Sequence, residues 1–309
     1  MKHISVLKEE AINGLNIKSD GIYVDMTLGY AGHASEILKR LDKGFLYGFD
    51  KDSYACSCSY ETLSKIGKNF KIFNTGNINM KDTLEGINVT LVDGFLFDLG
   101  LSSVEIDDAE RGFSYMKEAR LDMRMDKSSN LSAYEVVNNY SLNNLVKIFR
   151  EYGEEKHAVK IANEIINARS IKNIETTLEL ADIIDRCIPY KEKRGSHPAK
   201  KVFQAIRIEV NNELNVLKKA LEDVINSLNI NGRVCVITFH SLEDRIVKNL
   251  FKKYSVVEGN RINDFRKAKD IEEANFIEVN KKVIVPSEEE IINNPRSKSA
   301  KLRILKRVR

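Results

Sequence analysis

Three aspartates, Asp25, Asp50 and Asp98, each close a short apolar run. Asp25 leads into Met26-Thr27-Leu28-Gly29-Tyr30-Ala31-Gly32-His33, where small residues at 29, 31 and 32 let backbone approach a ligand closely. Asp50 follows Gly29 by 21 residues, a spacing at which an acid accepts both ribose hydroxyls of an adenosine moiety. Asp98 opens Asp98-Leu99-Gly100-Leu101-Ser102-Ser103. A carboxylate there lies where a donor and an acceptor would meet. An exocyclic base amine is a weak nucleophile, because its lone pair is delocalised into the ring. An acceptor on its hydrogen localises that pair and aims it, so the rate comes mainly from alignment. An Asp that merely caps the next turn is the plain alternative.

The ligand class follows from the glycines. A dinucleotide pyrophosphate against a helix N-terminus wants G-x-G-x-x-G. Here that register reads Gly29-Tyr30-Ala31-Gly32-His33-Ala34, with two of its three glycines replaced. S-adenosylmethionine carries no phosphate, and its cationic sulfonium gains from Asp25 and Asp98. The residues therefore favour this methyl donor over a nicotinamide dinucleotide. An NAD-dependent oxidoreductase and a non-catalytic RNA-binding protein on the same fold are the rivals.

These acids need strands to place them. Residues 22–26, 45–50, 71–73, 94–98 and 232–239 read as strands, the fourth apolar on both faces, and helical spacing falls between them, as over 34–41. Such alternation predicts a doubly wound parallel sheet. Shorter strand signals lie at 275–279, 283–285 and 302–305. From about Ser103 to Arg207 strand signals vanish and three or four amphipathic helices replace them. Ser132 with Glu135 and Thr176 with Glu179 match the capping box. The expected architecture is α/β, a Rossmann-like sheet with an inserted all-helical domain. Its parts are 1–103, 104–207 and 208–309.

Composition supports a globular chain: 309 residues, 42% hydrophobic and 30% charged. No apolar run long enough for a membrane span and no signal peptide is visible, which makes the cytoplasm the expected compartment. Cys56 and Cys58 lack the partners of a zinc site, so no metal is expected. Of the net charge of +4, Asn294 to Arg309 hold seven basic residues and no acidic one. A second cluster is Lys191, Lys193, Arg194, Lys200 and Lys201, with His197 among them. Either is an ordinary solvated face or a phosphate-binding surface.

Longer runs carry a resemblance along nearly the whole chain. They are His3 with Val6-Leu7, Asp25 to His33, Asp98 to Ser103, Asp107 to Ser114 and Leu121 to Asp126. They continue through Tyr152 to Glu155, His197 to Ala199, Phe203 to Ile208, Val210-Asn211, Phe239 to Arg245 and Asn294 to Ser297. With these the sequence resembles the RsmH/MraW family of bacterial 16S ribosomal RNA cytosine-N4 methyltransferases. The resemblance implies methyl transfer from S-adenosylmethionine to N4 of a cytidine in the decoding region of 16S rRNA in the small ribosomal subunit. Cofactor contacts would fall on Ala31, Gly32, His33, Asp50, Ile78, Asp98 and Glu105. The family usually has Gly for Ala31, an aromatic for Ile78 and Gln for Glu105.

Asp98 is the expected catalytic residue, with His240 near the target base. Arg124, His197, Lys201, Arg303, Lys306 and Arg307 are the RNA-binding candidates. Arg124 reads equally as half of a structural ion pair, His197 as helix-start chemistry, and Ser241 with Asp244 as a helix cap. No acid at fixed spacing makes His240 and Ser241 a hydrolase pair. The oligomeric state, a homodimer among the options, is open.

Overall fold

The structure, a computed structural model, describes residues 5–100, 108–193, 197–256 and 274–309. Two compact units divide the chain: Met1–Gly100 with Leu214–Arg309, and Leu101–Glu213.

The first unit holds a seven-stranded sheet. Strands β1 (Ile22–Asp25), β2 (Phe45–Asp50), β3 (Phe70–Asn74), β4 (Val92–Asp98) and β5 (Leu228–Thr238) run parallel. With β6 (Phe276–Glu278) and β7 (Lys301–Arg307), the spatial order is β3-β2-β1-β4-β5-β7-β6, and β7 is antiparallel to both its neighbours. The chain winds outward from β1 to β3, then returns to place β4 on the other side of β1. That reversal opens a crevice beyond the carboxyl ends of β1 and β4, the usual ligand site of open α/β sheets. Residues 283–285 form only an isolated bridge, Ile284 to Leu302, in place of the expected strand.

The apolar runs are strands because both faces are covered. On one face Val24, Phe49, Phe95, Phe97, Val234 and Val236 pack under α10 (Glu213–Asn226) and α11 (Ser241–Ser255). On the other, Tyr23, Leu46, Leu96, Cys235 and Ile237 meet α1 (Lys8–Leu15) and α2 (Gly32–Leu38). Each large side chain fully buried here contributes about 2 kcal/mol of transfer free energy. Two further helices, α3 (Ser53–Ser64) and α4 (Met80–Glu85), complete the βα crossovers. All four cysteines are free, and burial pushes the Cys56 thiol up to about 11.

The second unit is helical with its own core. Among the described residues it contains α5 (Ala133–Asn139), α6 (Leu142–Glu151), α7 (Ala158–Ile171), α8 (Thr177–Cys187) and α9 (Lys200–Asn211). Five helices stand where periodicity predicts three or four, because Ser141 caps α6 and separates it from α5. Both predicted capping boxes are present, at Ser132 with Glu135 and Thr176 with Glu179. The unit extends past 207 because α9 buries Val202, Phe203, Ile206 and Val210 in its core. No described helix is long and apolar enough to cross a membrane.

Candidate active site

The carboxyl ends of β2, β1 and β4 bring Asp50, Asp25 and Asp98 to one edge of the sheet. After Asp25 the chain leaves β1 in a turn fastened to both neighbours. Met26 N–H donates to the Leu96 carbonyl (2.9 Å) and Leu28 N–H to the Phe49 carbonyl (3.0 Å). Gly29 (φ +49°) and Ala31 (φ 60°) then take left-handed backbone. A Cβ at Gly32 would stand 1.8 Å from Ser5 Oγ, so a side chain there would have to displace that hydroxyl.

Asp50 fastens that turn. Its Oδ2 accepts from Gly29 N–H (2.8 Å) and its Oδ1 from Asp52 N–H (2.9 Å). Burial raises its pKa above the usual carboxylate value despite these donors. Asn74, at the end of β3, donates to the carbonyls of Asp50 and Lys51, both at 3.0 Å. One carboxylate thus sets two loops, and its remaining lone pairs suit ribose hydroxyls.

Asp98 is differently placed. Its Oδ1 is buried with no hydrogen-bond partner among the described residues, and its Oδ2 lies 3.6 Å from His33 Nδ1. The buried His33 ring (5% exposed) directs Nε2 at the Val6 carbonyl, 3.0 Å away. A carbonyl only accepts, so Nε2 carries hydrogen, and Nδ1 is the ring atom that faces Asp98. Burial, then the carboxylates of Asp25, Glu243 and Glu290, push the Asp98 pKa up to about 8. Asp25, 1% exposed, is pushed to about 7, chiefly by burial. An edge so rich in buried acid, with an orphaned oxygen, fits a cationic ligand. The Asp50 carboxylate and the bare Gly32 backbone fit its adenosine part.

Beyond β5, the predicted cap of Ser241 with Asp244 is corrected by one residue. His240 is the N-cap of α11: its Nδ1 accepts from Glu243 N–H (3.4 Å), while Glu243 Oε2 accepts from Phe239 and His240 N–H (2.8 and 3.3 Å). His240 Nε2 then lies 3.2 Å from Glu243 Oε1. Asp244 is released from capping and takes Arg303 at 2.7 and 3.2 Å, with Lys301 Nζ at 3.5 Å.

A family model described as the MraW methylase family matches residues 1–308. The chain belongs to the MraW methylase family. Two proteins named ribosomal RNA small subunit methyltransferase H illustrate the likeness. That of Clostridioides difficile is 50% identical over 312 residues, covering 99% of each chain. That of Exiguobacterium sibiricum is 50% identical over 309 residues, covering 100% of this chain and 99% of its own. An rRNA methylase structure from Streptococcus thermophilus aligns over 98% of this chain and 95% of its own, at 10% identity and a TM-score of 0.44. The Rossmann-like assignment rests on strand order instead. As a methylase of this family, the protein uses S-adenosylmethionine.

Within this methylase, Ala31 ends the β1 turn, Gly32 and His33 open α2, and Asp50 and Asp98 stand at the strand ends beside it. Ile78 sits in a short turn after β3 and is 38% exposed, an apolar surface without the stacking plane of an aromatic ring. Glu105 lies outside the described residues. Several RNA-binding candidates are engaged internally. Arg124 pairs with Asp122 (2.8 and 2.9 Å) and donates to the carbonyls of Lys127 and Ser129. Burial alone would raise the Asp122 pKa; the hydrogen bonds from Arg124 bring it below the usual range. Arg303 is 12% exposed and bound to Asp244, and Arg307 donates to the carbonyls of Leu228 and Arg309. His197 stacks on Tyr115 (4.5 Å between ring centres) while its Nδ1 accepts from Ala199 N–H (3.2 Å). Lys201 reaches the Glu154 carbonyl at 3.1 Å. Sequence reasoning assigned no part to Thr27 or Glu243; their partners lie on other elements or one capping register away.

Ala31 tests the local strain. An alanine in left-handed backbone costs about 1 kcal/mol relative to glycine. Ala31→Gly is expected to raise unfolding stability by about 0.5–1 kcal/mol, read from the urea midpoint. A lower midpoint would show that the buried methyl group outweighs the strain.

Proposed function

We propose that this methylase transfers the methyl group of S-adenosylmethionine to N4 of a cytidine in the decoding region of 16S rRNA, acting in the cytoplasm on the small ribosomal subunit. Methylation of small-subunit rRNA is the activity named for relatives that match half of its residues end to end. The observation that carries the chemical step is the orphaned, buried Asp98 Oδ1 at the crevice between β1 and β4. S-adenosylmethionine supplies the methyl group and a positive charge that favours ionised carboxylates nearby. Asp50 holds the ribose and the Gly29 turn, and Gly32 and His33 wall the adenosine side. Ile78 and Glu105 complete that contact set.

Asp98 accepts a hydrogen bond from the target amine, which localises the nitrogen lone pair. His240 serves by fixing the turn after β5. A base stacked in RNA must be extruded to reach such an edge. Small subunits incubated with labelled donor should acquire the label on one decoding-region cytidine, at N4. Label on another nucleotide, or on a ring carbon, would refute this reading.

For RNA affinity, Lys306 is the candidate whose charged group is least committed among the described contacts, and His197, Lys201 and Arg307 follow, each already holding an internal contact. Arg124 and Arg303 act by holding loops and strands. Lys306→Gln is expected to lower the slope of log affinity against log salt by about 1. Arg303→Gln should leave that slope alone and cost about 2 kcal/mol of stability, since it leaves Asp244 with only the longer contact to Lys301. A reduced slope in Arg303→Gln would return that residue to the RNA surface.

A further inference from the structure

The carboxyl ends of β1 and β4 are joined by a side chain. Backbone pairing between β1 and β4 ends with Met26 N–H on the Leu96 carbonyl. One rung further, the partner of Asp98 N–H is the hydroxyl of Thr27, Oγ1 accepting at 2.6 Å. Thr27 N–H donates to Asp25 Oδ1 at 3.1 Å. Leu28, the next residue, belongs to the other side, with its N–H on Phe49 of β2. Thr27 is therefore the point at which the chain changes neighbours, and its hydroxyl is the last link between the ends of β1 and β4.

We infer that Thr27 is a positioning residue for methyl transfer, its hydroxyl fixing the backbone of Asp98 so that the carboxyl group meets the acceptor amine in line with the donor. The inference rests on the role given to Asp98 above. Nothing else among the described contacts anchors the Asp98 carboxyl: Oδ1 has no partner and the approach of Oδ2 to His33 is long at 3.6 Å. Its direction is set through its main chain, by Thr27 on one side and by Leu99 N–H on the Ile237 carbonyl (3.0 Å) on the other. An alignment error of about 1 Å at a reacting centre costs on the order of 10²-fold in rate.

Two substitutions separate the hydroxyl from the side chain's bulk. Thr27→Val keeps the shape and removes the link; Thr27→Ser keeps the link and removes a methyl group. With small subunits and donor both saturating, kcat per folded molecule is expected to fall about 30-fold in Thr27→Val. Donor affinity by calorimetry should change less than fivefold. Thr27→Ser should stay within threefold of the parent in kcat, whatever it loses in melting temperature. A parent-like kcat in Thr27→Val overturns the inference, since a residue serving stability alone lowers only the folded fraction. Equal losses in both variants also overturn it, because the hydroxyl is then not the active feature. If the parent itself moves no methyl group to the RNA, the proposed function fails first and this role with it.

Discussion

Asp98→Ala is expected to lower the rate of methyl transfer about 10³-fold at saturating donor, while RNA affinity stays within about threefold. The carboxyl group stands at the end of the strand that borders the crevice, and one of its oxygens is buried without a partner. Such an atom costs stability unless a ligand pairs with it. Single-turnover transfer to small subunits, with filter binding on the same preparations, checks both halves of the expectation. Transfer within tenfold of the parent would remove Asp98 from the reaction.

The same carboxyl gives a pH signature. Its pKa lies at about 8 in the fold against the ordinary 3.8. Between those values the folded chain holds a proton that the unfolded chain has released, so the folded state binds more protons and stability falls as pH rises. This contribution is present in full below 3.8 and is lost as pH rises through about 8. Asp98→Asn cannot ionise, so its melting temperature should gain on the parent between pH 5 and pH 9. A constant gap between the two curves would show that Asp98 ionises normally. In the parent, kcat/KM for the donor should climb toward pH 8 and level off above it, because the ionised form attracts the sulfonium.

Asp50→Ala should weaken donor binding about 100-fold, with kcat at saturation within about threefold. The carboxylate accepts from Gly29 and Asp52, so truncation removes a ribose acceptor and loosens both loops. Asp50→Asn should do little better, because an amide presents one donor face to two N–H donors. Calorimetric titration with S-adenosylmethionine decides the matter; a dissociation constant within threefold of the parent in either variant would clear Asp50 of both duties.

Strands β1, β2, β4 and β5 were legible because burial on both faces leaves an unbroken apolar run that ends at a polar residue. The acids at three of those ends were legible for the same reason. Arg303 is an RNA-binding candidate by its charge, but sequence shows its sign and not its partner Asp244, 59 residues away. Thr27 was invisible as a link, since its partner Asp98 lies 71 residues on. The α11 cap was shifted because histidine is outside the usual capping set, and only geometry reveals its ring nitrogen in that role. The place of β7 between β5 and β6 was equally hidden, as strand order depends on pairing and not on pattern.

That last placement governs assembly. Strand β7 follows β6 in the chain but lies inside it in the sheet, so β6 finds no berth until β7 has docked. Until then the flank of β5, with buried Val234, Val236 and Ile237, exposes unpaired amides and carbonyls beside apolar side chains. An open edge of this kind templates aggregation. Lys301, Arg303, Lys306 and Arg307 give the docking strand a charge that repels a second copy of itself, while Asp244 draws two of those cations home. The basic stretch is thus also a gatekeeper against misassembly, a duty that would constrain its sequence even where it meets no RNA.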